Sequence, residues 1–171
     1  GQCLAKQIAE ILLNYKKTSD DKAVVLEFGA GSGVLAVDVL LELERLDCLP
    51  EQYLIIELSA ELQQRQQHIL QEKVPHLFSR LLWLDHLPEN VNNAVVIANE
   101  VLDAMPVECF KVHGSDIESL MVDVENDKLT ARYTTADSRT LEKLESIKQR
   151  SEIEFSDGYC SEYNPAIAGW L

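Results

Sequence analysis

Apolar positions along the chain recur with two different periods. Leu4, Ile8, Ile11, Leu12 and Tyr15 follow helical spacing and predict an amphipathic helix over residues 2–16, with the polar run from Lys16 to Lys22 as its break. Ala23–Phe28 (AVVLEF) is then almost wholly apolar and closed by glycines, the pattern of a strand buried on both faces of a parallel sheet. Residues 34–46 (VLAVDVLLELERL) predict a helix that is apolar on most sides, and Tyr53–Leu58 a second buried strand. Ala60–Lys73 (AELQQRQQHILQEK) predicts a helix with few apolar anchors, whose glutamines read as a wet outer face. Leu81–Leu84 and Ala94–Ala98 supply third and fourth strands. Strands alternating with helices in this way predict an α/β fold: a right-handed, doubly wound parallel sheet with helices on both faces.

Beyond residue 106 the alternation stops. Val107–Val112, Ser119–Val124 and Lys128–Thr134 have the period of short half-buried strands, and Glu125, Asn126 and Asp127 form a turn. This predicts an antiparallel hairpin added to the sheet, as a β-rich insertion over about residues 107–135 of a single domain that takes in 1–171. Leu141–Gln149 reads as a polar helix, residues 151–158 as a loop, and a last helix starts near Asn164-Pro165. The chain has no internal repeat and no low-complexity tract.

Composition narrows the function. The 171 residues are 46% hydrophobic and 26% charged, which suits a globular chain rather than a disordered one. Twenty-nine acidic residues against 15 basic ones give a formal charge of −14. With no clustered Lys and Arg to neutralise phosphates, binding of nucleic acid or of an anionic membrane is disfavoured, and a cationic ligand fits the field better. Cys3, Cys48, Cys109 and Cys160 stand far apart, with no histidine at metal-ligand spacing, so no metal site is expected and reduced thiols in a cytosol-like compartment are. No apolar run approaches the roughly 20 residues that cross a bilayer, and no basic stretch precedes an apolar one at the N-terminus. A bacterial cytoplasm is the expected location, with the mitochondrial matrix as the alternative for a chain whose leader has been removed. Gly1 is not an initiator Met and the chain stops inside a predicted helix, so it reads as a piece of something longer.

Chemistry concentrates in Glu27-Phe28-Gly29-Ala30-Gly31-Ser32-Gly33, between the first strand and its helix. Alternate glycines let the backbone turn sharply and meet a ligand with bare main chain. A dinucleotide loop would carry GxGxxG, but the position after Gly33 is Val34; a phosphate-binding GxxxxGK[ST] loop would need a Lys after its last glycine. No basic residue lies between Ala23 and Arg45, and Glu27 adds negative charge, so a pyrophosphate is unsuitable. S-adenosylmethionine (SAM) suits the loop, because its sulfonium and ammonium are drawn to carboxylates and its ribose hydroxyls need an acidic acceptor. Glu57, 28 positions after Gly29 at the end of the second strand, is placed for the ribose, and Asp85, after the third strand, for the adenine amino group.

LEFGAGSG (26–33), IIELSAELQQRQ (55–66), WLDHLPENVNNAVVIANEVLDAMPVECF (83–110) and YCSEYNPAIAGWL (159–171) together resemble the class I SAM-dependent methyltransferases, and more narrowly the MidA-like family. That family includes the mitochondrial arginine methyltransferase that assists complex I assembly. The resemblance implies a Rossmann-like sheet, with SAM held by Gly29, Gly31, Gly33 and Glu57 and with Asn99, Glu100 and Asp103 lining the catalytic site beyond the fourth strand; Glu27, Ala30, Leu58 and Asp85 complete the expected cofactor site. It also implies a protein acceptor, an arginine of a respiratory complex I subunit, and further sheet strands after Leu171.

Methyl transfer from a sulfonium is an in-line displacement, so the enzyme contributes mainly alignment and exclusion of water. A guanidinium acceptor would be held by carboxylates, for which Glu100, Asp103 and Glu162 are candidates; helix capping is the alternative for Asp103 and, more weakly, for Glu100, and a plain surface acid before a helix is the alternative for Glu162. Asn99 suits either ligand binding or simple turn chemistry. His68, His86 and His113 have no visible partner and read as surface or structural residues, while Trp83 and Trp170 read as packing. A SAM-dependent protein methyltransferase is the leading function, and a non-catalytic SAM-fold binding module acting in assembly is the alternative. A dehydrogenase ranks third, because the loop reads GxGxG rather than GxGxxG.

Overall fold

Val24, Val25 and Phe28 are residue types that fit a pleated, buried surface, and Val24–Phe28 forms β1, a central strand of a parallel sheet. The computed structural model describes residues 1–18, 23–151 and 153–170, and the chain divides into two compact units, Gly1–Val101 and Leu102–Leu171. The predicted polar break therefore lies in part outside the described residues; its first three positions continue the opening helix.

Unit 1 runs α1 (Gln2–Thr18), β1, α2 (Val34–Arg45), β2 (Gln52–Ile56), α3 (Ala60–Lys73), a 3-10 segment (Pro75–Arg80), β3 (Leu81–Leu84) and β4 (Ala94–Ala98). The strands are parallel in the order β3-β2-β1-β4. α1 buries Ala5, Ile8, Ala9 and Leu12, an i, i+3, i+4, i+7 stripe, while Ile11 faces solvent. That stripe joins Ala36, Val39, Leu40 and Leu43 of α2, Leu70 of α3, and Val25, Tyr53, Ile55, Val95 and Ile97 of the sheet in one core.

The pattern predicts helices on both faces of the sheet, and the structure differs. Among the described residues, α1, α2 and α3 all contribute to the core on one face, whereas the cluster on the other face, Leu26, Leu54 and Ile56 with Val24, Phe28 and Leu84, contains strand residues alone. Handedness explains this. Two successive right-handed crossovers in one direction, β1 to β2 to β3, put α2 and α3 on the same side. The reversed crossover to β4 is the one that would cover the opposite side, and residues 85–93 contain no helix.

Unit 2 contains a short 3-10 turn (Leu102–Ala104), β5 (Glu108–His113), β6 (Asp116–Glu125), β7 (Lys128–Thr135), α4 (Ser138–Ser151), β8 (Cys160–Tyr163) and α5 (Ile167–Trp170). Asn126 and Asp127 both have positive φ, 51° and 59°, which matches the twist of the β6–β7 hairpin. Here the prediction is corrected: these strands do not extend the parallel sheet but form their own antiparallel sheet, β7-β6-β5-β8. β8 falls between the predicted loop over 151–158 and the helix start predicted near Asn164, where the sequence pattern marks no element, and the last helix begins at Ile167. Phe110, Val112, Leu144 and Tyr163, with Ile117, Ile147, Phe155 and Tyr159 packed on them, form the core of this unit.

Candidate functional site

The four parallel strands end level. Phe28 pairs with both Ile56 and Ala98, and Ile56 pairs with Leu84, so the residues that follow them stand in one row along the carboxyl edge: Asp85, Glu57, Gly29, Asn99. The chain leaves β1 toward β2 on one side and later returns to place β4 on the other. Such a reversal opens a crevice outside the strand ends, where sheets of this kind bind ligands.

Above β1 the loop takes the shape that its glycines permit. Gly29, Gly31 and Gly33 have φ of 59°, 54° and 81°, all in the left-handed region. The Gly29 N–H donates to Ile56 O at 2.9 Å and the Gly33 N–H to Ala30 O at 2.8 Å, which closes the turn over a buried Ala30. A Cβ at Gly29 or Gly31 would meet no atom within 4 Å, whereas one at Gly33 would lie 3.0 Å from Ile69 Cγ2 and 3.3 Å from Gln66 Cα. The third glycine is thus needed for close packing on α3, and the first two leave open main chain on the side where a ligand would lie.

Glu57 is buried and held on both oxygens. Its Oε1 accepts from the Ser59 N–H and its Oε2 from Gln66 Nε2, each at 3.0 Å. Each oxygen keeps a further lone pair, so the carboxylate can still accept from a diol. Ser59 also caps α3 by accepting from the Leu62 N–H. Leu58 beside it is 82% exposed, a large apolar surface at the rim of the row. Asp85 is exposed and paired with the equally exposed His86, which accounts for that histidine.

Glu27 lies beneath the loop rather than at a rim. It is 2% exposed, on the helix-covered face of β1, and its Oε2 accepts from the Tyr53 hydroxyl at 2.8 Å. Burial pushes its carboxyl above the usual range, an effect that the Tyr53 hydrogen bond partly offsets.

Asn99 and Glu100 follow β4 and are exposed. Glu100 adopts φ 56°, a left-handed backbone that costs a non-glycine residue about 1–2 kcal/mol and often marks a functional position. Asp103 is exposed in the 3-10 turn that opens unit 2. Glu162 is exposed on β8, opposite Cys109. His68 and His113 are exposed. Among the described residues no group of three or more His, Cys, Asp or Glu could hold a metal ion, the four cysteines are free thiols, and no helix is long and apolar enough to cross a membrane.

Two site residues escape the sequence analysis. Gln66, read as part of a wet face, is fully buried, and Trp83, read as packing, stands against Phe78 and donates its indole N–H to Gln66 Oε1 at 2.9 Å. A signal for the first exists: Leu62, Gln66, Ile69 and Leu70 share one helical stripe, so Gln66 occupies a core-facing position among apolar neighbours.

The comparisons agree with this geometry. A family model described as "Putative S-adenosyl-L-methionine-dependent methyltransferase" matches residues 3–171. Two crystal structures from Burkholderia thailandensis are each 30% identical over 99% of this chain. One is of an uncharacterized superfamily protein, at TM-score 0.79, and the other of a superfamily member bound to S-adenosyl-homocysteine, at TM-score 0.77. The chain spans 44% and 42% of their respective lengths. No curated protein matches it. An open glycine loop at a reversal of the sheet, an acid in register with it, and a family model that spans nearly every residue place this chain in the family of SAM-dependent methyltransferases.

Proposed function

We propose that this chain is the cofactor-binding part of a SAM-dependent methyltransferase of the MidA-like type, whose acceptor is an arginine of a protein such as a respiratory complex I subunit. The observation that carries the cofactor reading is the open main chain over Gly29 and Gly31, level with Glu57 in the next strand and without a basic residue in the loop. The bound cofactor supplies an electrophilic methyl group on a sulfonium. Gly29 and Gly31 let that ligand approach the backbone, Ala30 and Gly33 hold the turn that presents it, Glu57 accepts from its ribose hydroxyls, Leu58 covers the adenine ring, and Asp85 accepts from the adenine amino group. Glu27 contributes from beneath, as a buried carboxyl that fixes the base of the loop through Tyr53.

For the acceptor, Asn99, Glu100 and Asp103 are the proposed catalytic residues. Glu100 would hold the guanidinium and localise its charge, leaving one nitrogen more nucleophilic, and its strained backbone and place beside the sheet reversal support that role. The net charge of −14 favours a basic acceptor, and free thiols accord with a reducing compartment, a bacterial cytoplasm or the mitochondrial matrix.

Calorimetric titration of the full-length protein with SAM tests the first step, and absence of heat would sink the reading. Transfer of a tritiated methyl group to a lysate, followed by acid hydrolysis, should yield methylarginine, and Glu100→Gln should abolish transfer while SAM still binds. Binding without transfer to any protein would favour a non-catalytic assembly module instead.

A further inference from the structure

Gln66 joins three parts of the site. Its side chain is fully buried on α3, and its amide makes three hydrogen bonds: Nε2 to Gly31 O at 3.0 Å, Nε2 to Glu57 Oε2 at 3.0 Å, and Oε1 from Trp83 Nε1 at 2.9 Å. The same residue presses on Gly33, as the 3.3 Å approach of its Cα to a Cβ there shows. One amide thus joins the middle glycine of the loop, the acid at the end of β2 and the indole on β3.

Only one orientation of that amide satisfies its neighbours. An indole N–H donates and cannot accept; a backbone carbonyl and a carboxylate accept and cannot donate. Turning the amide over would set its oxygen against two acceptors and its NH2 against a donor, all in a buried place where unmade hydrogen bonds are costly.

We infer that Gln66 is a positioning residue for SAM binding, which fixes the Gly31 carbonyl and the Glu57 carboxylate relative to each other, with Trp83 setting the direction of its amide. With the Ser59 N–H on the second oxygen, Glu57 has its plane fixed before the ligand arrives. Affinity then depends on Gln66 through this preorganisation, without contact between Gln66 and the ligand. The inference rests on the reading that the glycine loop and Glu57 hold SAM.

The test is calorimetric titration of the full-length protein with SAM between pH 5.5 and 8, beside thermal unfolding without ligand. Gln66→Glu keeps the shape but places a carboxylate against two acceptors, and should weaken SAM binding at least about tenfold at pH 8. Relative to wild type, affinity should recover as pH falls and the introduced carboxyl takes up a proton, because it then donates again. Trp83→Phe, which removes the donor to Oε1 and leaves the rest, should weaken binding by a smaller factor of about three to ten. In a Glu57→Gln background, Gln66→Met should add little to the loss already present.

Wild-type affinity in Gln66→Glu at every pH, with Glu57→Gln impaired, overturns the role of Gln66 alone. A loss that does not vary with pH and follows the melting temperature overturns it too, since packing would suffice. Unchanged affinity in Glu57→Gln overturns the underlying cofactor reading together with the inference. Should Gln66→Glu fail to fold, wild-type affinity in Trp83→Phe and full additivity with Glu57→Gln overturn the proposal by themselves.

Discussion

The Tyr53 hydroxyl donates to Glu27 Oε2 across 2.8 Å between two neighbouring strands, and neither side chain has appreciable contact with water. Removing the donor leaves a buried carboxylate without that partner, so Tyr53→Phe should cost about 1–3 kcal/mol in denaturant unfolding at pH 7. The pH dependence has a definite sign. Burial raises the Glu27 carboxyl above its ordinary 4.5, so its contribution to stability is fully present below the unfolded value and is lost as pH rises through the folded one. Glu27→Gln removes this titration. The melting temperature of the variant minus that of wild type should therefore widen from pH 4.5 upward, and a gap that narrows would contradict the burial argument.

The three glycines of the loop should separate by what each substitution harms. Gly33→Ala meets strain at φ 81° and a Cβ 3.0 Å from Ile69, so it should lose the most stability, about 2 kcal/mol or more. Gly29→Ala and Gly31→Ala meet only the left-handed backbone penalty of about 1 kcal/mol, yet each places a methyl group where the ligand would lie. For these two, SAM affinity should fall more than stability does. Paired chemical denaturation and calorimetry measure both quantities on the same samples.

Leu144 is the buried residue through which α4 joins the core of the second unit, beside Phe110, Val112 and Tyr163. Leu144→Ala should cost about 2–5 kcal/mol, depending on how far the cavity collapses. Because Leu144 belongs to a cluster separate from that of the parallel sheet, faster hydrogen exchange should appear in β5, β6 and β8 before it appears in β1 and β2.

Asp137 starts α4, accepting from the Thr140 N–H at 2.7 Å, and that backbone hydrogen bond holds its carboxyl below the usual range. The sign is opposite to that of Glu27. Its contribution is present above the unfolded pKa and disappears as pH falls through the folded value. Asp137→Ala should thus lower the melting temperature at pH 7 and have little effect near pH 2, as thermal unfolding monitored by helical circular dichroism would show.

Much of the parallel unit is legible in its sequence, because buried strands announce themselves as short apolar runs and crossover helices by their spacing. Ala60–Lys73, Leu81–Leu84 and Ala94–Ala98 have the bounds that the pattern predicts. β8 is less legible: Cys160–Tyr163 is four residues long, lacks strict alternation, and acquires its conformation from pairing with β5, fifty residues away. The site divides in the same way. Gly29, Gly31, Gly33 and Glu57 are visible because backbone geometry and chain spacing dictate them. Tyr53 is not, and Gln66 shows only as one polar member of the apolar stripe of Leu62, Ile69 and Leu70, since a tyrosine in an apolar strand and a glutamine in a polar helix look ordinary until register and burial bring their partners within 3.0 Å.

Level strand ends also govern how this sequence can change in length. The helices and connections between β1, β2 and β3 can gain or lose residues, since each returns to a strand whose pairing fixes where it stops. One residue inserted inside β2 would do two things at once. It would carry Glu57 about 3.3 Å out of the row that it shares with Gly29 and Asp85, and turn Tyr53 or Ile55 toward the opposite face. Insertions and deletions should therefore collect in the crossovers, and the four-strand ladder should keep a constant count from its first paired residue to the acid, glycine or asparagine at its end.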